Sequence, residues 1–106
     1  MKISIIVPVY NEKEHIEDFI GSLLAVTGSD NREYEVIAVD DGSTDGTAEK
    51  LAKLPVEVVT HPYNLGYGAA LKSGMRRATG ELICIIDADG TYKPEDIPRL
   101  AGELGG

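Results

Sequence analysis

The run Ile3-Ser4-Ile5-Ile6-Val7 has almost no polar alternation, and a strand written this way must be covered on both faces. Such strands belong to parallel sheets between helical layers, because each parallel neighbour is reached by a crossover that packs back onto the sheet. The rest of the chain supplies the segments that arrangement needs. Tyr34 to Val39, Val56 to Thr60 and Leu82 to Ile86 read as further strands, the last the most apolar. From about Lys13 to Val26, the residues Ile16, Phe19, Ile20, Leu23 and Leu24 recur at helical spacing, and Thr27 to Arg32 reads as a loop. Asp45 is placed to cap a short helix with Ala48, Leu51 and Ala52 inward. A third helix from about Gly66 to Ala78 has a small inner face of Ala70, Leu71, Gly74, Met75 and Ala78, with Gly80 as its stop. Pro94, Glu95 and Asp96 fit the first turn of a last helix with Ile97, Leu100, Ala101 and Leu104 apolar. Pro8 has no N–H to donate and is predicted to end the first strand. The pattern predicts one α/β domain over residues 1–106, a mainly parallel, Rossmann-like sheet with helices on both faces.

Composition narrows the function classes. A chain of 106 residues, 42% of them hydrophobic, can bury a core and is too short for a second, substrate-binding domain. Ten Lys or Arg against eighteen Asp or Glu give a net charge of −8, which excludes nucleic acid as the main partner. No apolar run approaches the length of a membrane span, and the chain goes directly from Met1-Lys2 into a strand, so a cytoplasmic location is expected. The single Cys84 has apolar neighbours and reads as a core residue rather than a disulfide partner.

In open parallel sheets, ligands bind beyond the carboxyl ends of the strands. Here those ends carry Tyr10-Asn11-Glu12, then Asp40-Asp41, then Asp87-Ala88-Asp89. Two carboxylates two positions apart can address one divalent ion, and their mutual repulsion is costly without one. Each acidic pair alone also fits a solvated turn beside glycine, at Gly42 or Gly90. Their convergence on one edge is what favours a site. Gly66-Tyr67-Gly68 at a helix start could admit a phosphate, but it lacks the third glycine of a dinucleotide fingerprint, and packing is the better reading. His15 and His61 read as surface residues, and Lys72 with Arg76 as a solvated helix face.

Five motifs, in order and spanning Ile3 to about Leu100, resemble the family 2 inverting glycosyltransferases. They are Val7-Pro8-Val9-Tyr10-Asn11-Glu12, Val39 to Thr47, Asn64 to Ala70, Ala78-Thr79-Gly80-Glu81, and Asp87-Ala88-Asp89. The set is most similar to the dolichol-phosphate mannosyltransferase and polyprenyl-phosphate glycosyltransferase branch. The resemblance implies the nucleotide-sugar-binding half of a GT-A fold. It implies that Pro8, Tyr10 and Glu12 hold the nucleotide, and that Asp41 recognises the base with Val39 lining its pocket. Asp87, Ala88 and Asp89 would hold the sugar diphosphate, with Mg²⁺ or Mn²⁺ on Asp87 and Asp89. The donor would be a UDP- or GDP-sugar and the acceptor a polyprenyl or dolichyl phosphate, which places a complete enzyme at the membrane surface.

The sequence departs from that branch at Gly90-Thr91-Tyr92, where Leu and Gln usually follow the acidic motif, and it is shorter than a full catalytic domain. Glu95, Asp96 and Glu103 read as helix-end and surface charges, so no general base is assigned. Half a GT-A fold leaves a sheet edge and apolar surface uncovered, and self-association is expected. Two alternatives follow from the same residues. One is a module that binds nucleotide without catalysis. The other is a haloacid-dehalogenase-like phosphatase, whose signature resembles Asp87-Ala88-Asp89-Gly90-Thr91 but normally opens the fold.

Overall fold

A computed structural model describes residues 1–89 and 93–105. In chain order they form β1 (Lys2–Val9), α1 (Ile16–Ser29), β2 (Glu33–Asp40), α2 (Thr47–Leu51), β3 (Glu57–Thr60), α3 (Tyr67–Arg77) and β4 (Leu82–Ile85). A 3-10 turn, Pro94–Asp96, then leads into α4 (Ile97–Gly105). The strands make one parallel sheet in the order β3-β2-β1-β4. β1 lies inside it, and Ile3, Ile5, Ile6 and Val7 are completely buried, as their unbroken apolar run requires.

Odd positions of β1 face one helical layer. Ile3, Ile5, Val7 and Val9 pack there with Ile16, Ile20 and Leu23 of α1, Leu51 of α2, and Ile97 and Ala101 of α4. On the other face, Ile6, Ile37 and Val39 pack against Ala70 of α3. That contact is close because residue 74 is glycine: a Cβ there would lie 2.5 Å from Ile6 Cγ2. The small inner face of α3 is therefore a distance requirement, which brings the start of this helix against the sheet.

Several boundaries differ from the expected ones. β1 continues through Pro8 to Val9. Val9 O accepts from Asp41 N while Ile6 O accepts from Ile86 N, so odd positions bond toward β2 and even positions toward β4. Pro8 thus faces the β4 side beyond the last paired residue, Ile85, where its missing N–H leaves no gap in the ladder. α1 starts at Ile16, after a turn closed by Glu12 O, and runs through Gly28 to Ser29. In its last turn the Thr27 and Ser29 hydroxyls donate to the carbonyls of Leu24 and Val26, which keeps this polar stretch helical. In α2 the cap position is Gly46, while the Asp45 carboxylate accepts the Thr47 N–H at 3.1 Å; Leu51 is buried and Ala52 exposed. Met75 of α3 is exposed rather than inward. Gly80 does not stop α3, which ends at extended Ala78. Gly80 instead lies against β1, where a Cβ would meet Ser4 Oγ at 2.6 Å and Lys2 O at 2.8 Å.

β4 is covered on one face only. Leu82 and Cys84 pack into the α1 and α4 layer, whereas Ile83 and Ile85, in register with Ser4 and Ile6, are each 40% exposed.

At the opposite end of the sheet from the acidic loops, Glu35 ties β2 to β1 and to the chain after α3. Its Oε2 accepts from the Ser4 hydroxyl at 2.5 Å, the Thr79 N–H at 2.6 Å and the Thr79 hydroxyl at 3.1 Å, and Lys2 Nζ lies 3.7 Å from Oε1. Burial alone would raise the Glu35 pKa, but these donors and the Lys2 charge outweigh it and hold the group at about 2, against an ordinary 4.5. Because the folded value lies below the unfolded one, the stabilisation is complete above the ordinary 4.5 and is lost as pH falls toward about 2. Glu35→Gln should lower stability at neutral pH by about 2 kcal/mol. In urea titrations across that acid interval, the difference between the variant and the unaltered chain should shrink as pH falls.

Candidate functional site

The site is built from loops fastened to one another. Asn11, with a positive φ of 52°, turns the chain out of β1, and its N–H donates to Ser43 Oγ at 2.9 Å. Its side-chain oxygen accepts from Thr44 N at 2.8 Å. Glu12 N donates to Thr47 Oγ1 at 3.0 Å and Lys13 N to Asp45 Oδ2 at 3.2 Å. The side chains of Ser43, Asp45 and Thr47 after β2 thus accept the backbone N–H groups of the loop after β1, and Thr44 N donates back to it. These short polar side chains, which favour such local bonding, were the sequence signal for this role.

Asp41 is the centre of the second set of contacts. Its side chain is nearly inaccessible, with the residue 4% exposed, and it accepts from four donors. Oδ1 takes His61 Nδ1 at 2.8 Å and Leu65 N at 2.9 Å; Oδ2 takes Gly66 N at 2.9 Å and Asn64 Nδ2 at 3.1 Å. Burial would raise the Asp41 pKa, but the bonds from His61 and from the Leu65 and Gly66 amides outweigh it, so the group lies below the ordinary carboxylate value and stays ionised. The other ring nitrogen of His61, Nε2, is 2.8 Å from Ser73 Oγ on α3. His61 is therefore not the surface residue its place beside Pro62 suggested: the residue is 8% exposed. The strand ends β2 and β3 and the helix α3 all meet at this imidazole.

These loops border an open cavity of about 420 Å³. Pro8, Tyr10, Glu12, Asp41, Asp87, Ala88 and Asp89 line it, and Asn64, Gly66, Tyr67 and Ala70 form the wall at the start of α3. Three acidic strand ends thus reach one space. Val39 does not: it is fully buried beneath α3 and contributes no surface there. Nor does Asp40, which is 1% exposed; its Oδ1 accepts from Ser43 N, and its Oδ2 has no hydrogen-bond partner among the described residues. Lys72 and Arg76 are exposed and do not line the cavity. Gly68 is likewise outside it, whereas Gly66, with φ of 105°, forms part of the wall. Ala88 and Asp89 also border a second cavity, of about 330 Å³, on the side of His15, Asp18 and Phe19. Residues 90–92, which carry the departure from the branch pattern and the end of the phosphatase-like signature, lie outside the described residues.

The donor chemistry of the cavity suits a hard divalent cation. Asp87 and Asp89 offer only carboxylate oxygens, and no cationic side chain pairs with Asp87 among the described residues. Among those residues no three His, Cys, Asp or Glu side chains converge on one metal position. An ion held by the two aspartates would therefore complete its coordination with ligand oxygens and water, as Mg²⁺-type sites for phosphates do.

A family model described as "Glycosyl transferase family 2" matches residues 4–105. The undecaprenyl-phosphate 4-deoxy-4-formamido-L-arabinose transferase of Salmonella paratyphi A is 36% identical over 108 residues, which cover 96% of this chain and 33% of that protein. The present chain thus spans about a third of the length of that curated relative. Among solved structures, S. aureus TarS 1-349 in complex with UDP-GlcNAc has a TM-score of 0.79 at 33% identity, over 96% of this chain and 30% of that one. The mannosyltransferase PcManGT of Pyrobaculum calidifontis, in complex with GDP-Man and Mn²⁺, has a TM-score of 0.79 at 31% identity, over 98% of this chain and 32% of that one. The four-stranded parallel sheet with its helices is accordingly the GT-A fold expected from the motifs.

Gly42 is where the site tolerates least change. Its φ is +73°, and a Cβ would lie 2.2 Å from the Tyr63 carbonyl carbon and 2.5 Å from Asn64 N, both backbone atoms. Gly42→Ala should cost at least about 2 kcal/mol in thermal or urea unfolding. Gly68→Ala, in open space within α3, should instead raise stability by about 0.5–1 kcal/mol through helix propensity alone.

Proposed function

The chain belongs to glycosyltransferase family 2, and we propose that it forms the donor-binding part of an inverting enzyme that transfers a sugar from a UDP- or GDP-sugar to a polyprenyl or dolichyl phosphate. The observation that carries this reading is the convergence of Glu12, Asp41, Asp87 and Asp89 with Tyr10 on one cavity beside the start of α3. In it, Tyr10 offers a half-exposed aromatic face to the nucleoside, and Pro8 fixes the floor of that wall. Asp41, an acceptor held in place by its own donors, reads base N–H groups. Asp87 and Asp89 hold Mg²⁺ or Mn²⁺, and Ala88, buried in the core, fixes the turn between them.

Without a cation, four carboxylates around the cavity would repel a diphosphate. A bound divalent ion supplies the charge that bridges them and stabilises the departing nucleoside diphosphate. The complexes of TarS with UDP-GlcNAc and of PcManGT with GDP-Man and Mn²⁺ support a nucleotide-sugar donor and a metal. The Salmonella relative's undecaprenyl-phosphate name supports the lipid phosphate, and with it action at a membrane surface. No helix among the described residues is long and apolar enough to cross a membrane.

Calorimetric titration with UDP and GDP, with and without Mn²⁺, tests the donor site. Binding should require the metal, disappear on chelation, and weaken by about tenfold or more in Asp89→Ala. Metal-independent binding that the substitution leaves unchanged would overturn the metal role.

The exposed Ile83 and Ile85 on the outer strand β4 also support self-association of this chain. Sedimentation should show mass rising with concentration, and the double variant Ile83→Lys, Ile85→Lys should return it to one chain. A mass of one chain at every concentration would count against that assembly.

A further inference from the structure

The most enclosed polar contact next to the cavity is the one between Asp41 and His61, which are 4% and 8% exposed. An ionised carboxylate only accepts, so His61 Nδ1, 2.8 Å from Asp41 Oδ1, carries a proton and donates it. In the neutral ring Nε2 is then the acceptor, and the Ser73 hydroxyl donates to it at 2.8 Å. Turning the ring would break both bonds at once.

A carboxylate has about four lone-pair sites. In Asp41 His61, Leu65 N, Gly66 N and Asn64 Nδ2 occupy them. A ligand N–H can therefore reach Asp41 only by replacing one of these donors. Two are backbone groups fixed at the start of α3, and His61 is buried between two partners. Asn64 is exposed, lines the cavity, and makes the longest of the four bonds. The exchange must take place on Oδ2, with Oδ1 kept where it is.

We propose that His61 is a positioning residue for donor binding: braced by Ser73, it holds Oδ1 of Asp41 so that Oδ2 is presented to the cavity, where the Asn64 amide gives way to an N–H of the nucleobase. The proposal rests on the reading of the cavity as a nucleoside-diphosphate site. It also commits that site to bases with an N–H to donate, such as the imino groups of uracil or guanine, and it gives the end of β3 an indirect part in affinity through Asp41.

Two substitutions separate positioning from packing. His61→Asn keeps an amide donor near the place of Nδ1 and loses the reach to Ser73. His61→Gln puts its amide near the place of Nε2 and leaves Asp41 Oδ1 without this donor. Affinity for UDP and GDP with Mn²⁺ is read by calorimetry, the Leu65 and Gly66 amide resonances by NMR, and folding by thermal unfolding. His61→Gln should bind about tenfold or more weakly, with both amide resonances displaced, and His61→Asn should remain within about threefold of the unaltered chain. A folded Gln variant that binds like the unaltered chain, or Asn and Gln variants weakened equally with unmoved amides, overturns the proposal. If the unaltered chain binds neither nucleotide, the functional reading falls and this proposal with it. Binding by the unaltered chain together with either overturning result removes the proposal alone.

Discussion

The buried carboxylate of Asp41 organises the cavity end of this molecule. Asp41 sits at the end of β2 with almost no access to water, where an unpaired carboxylate would cost several kcal/mol. The cost is offset because four donors from three places close on it: the end of β3, the loop after it, and the backbone that begins α3. The same bonds set the wall of the cavity. Folding and the shape of the cavity therefore share one constraint, and a change that loosens Asp41 alters that shape without touching the other lining residues.

The remaining acids are arranged on the opposite principle. Asp89 is exposed, Glu12 and Asp87 are only partly covered, and all three line the same cavity as the start of α3. Helix N-termini favour anions, and here Asp41 already occupies the amides of Leu65 and Gly66 just ahead of the helix. The charged side chains that line the cavity are all acidic, so under the proposed function the affinity for a diphosphate would depend on a cation. A net charge of −8 would act in the same direction under that proposal, since the long-range field also disfavours a bare anion.

The parts of this architecture that follow from local periodicity were legible in the sequence. The unbroken run of β1, the apolar stripe of α1 and the small face of α3 each predict their neighbours, because burial on one or two faces is written at a period of two or three to four residues. The grouping of acids followed from a further rule, that parallel strand ends share an edge. What was not legible depends on register. Glu35, Ser4 and Thr79 are far apart in sequence, and only the pairing of Ser4 with Glu35 across β1 and β2 brings them together. His61 gave no sign of burial, because a histidine before proline is ordinary in a loop; its role comes from Asp41 and Ser73, neither of which is its neighbour in the chain. Val39 shows the reverse error. It adjoins the acidic pair and shares Asp41's face of the sheet, yet it lies one pleat further down the strand, covered by α3, and reaches no surface.

β4 holds a tension between pattern and cover. Leu82-Ile83-Cys84-Ile85 is written as a strand buried on both faces, but α3 lies over β1 and β2 and leaves Ile83 and Ile85 about half open. Fully burying one such side chain is worth about 1.5–3 kcal/mol, so two half-open isoleucines on an edge strand leave a comparable amount unrealised. The edge also offers a row of backbone groups to any strand that pairs with it. The open side chains lie on the sheet face and the backbone groups along its edge, so only a partner that both adds a strand to β4 and packs over Ile83 and Ile85 would use the two together. β4 leads through Ile86 to Asp87 and Asp89, so the strand with the open face is also the one that delivers both carboxylates to the cavity, whose Asp41 side is fixed from within by four donors.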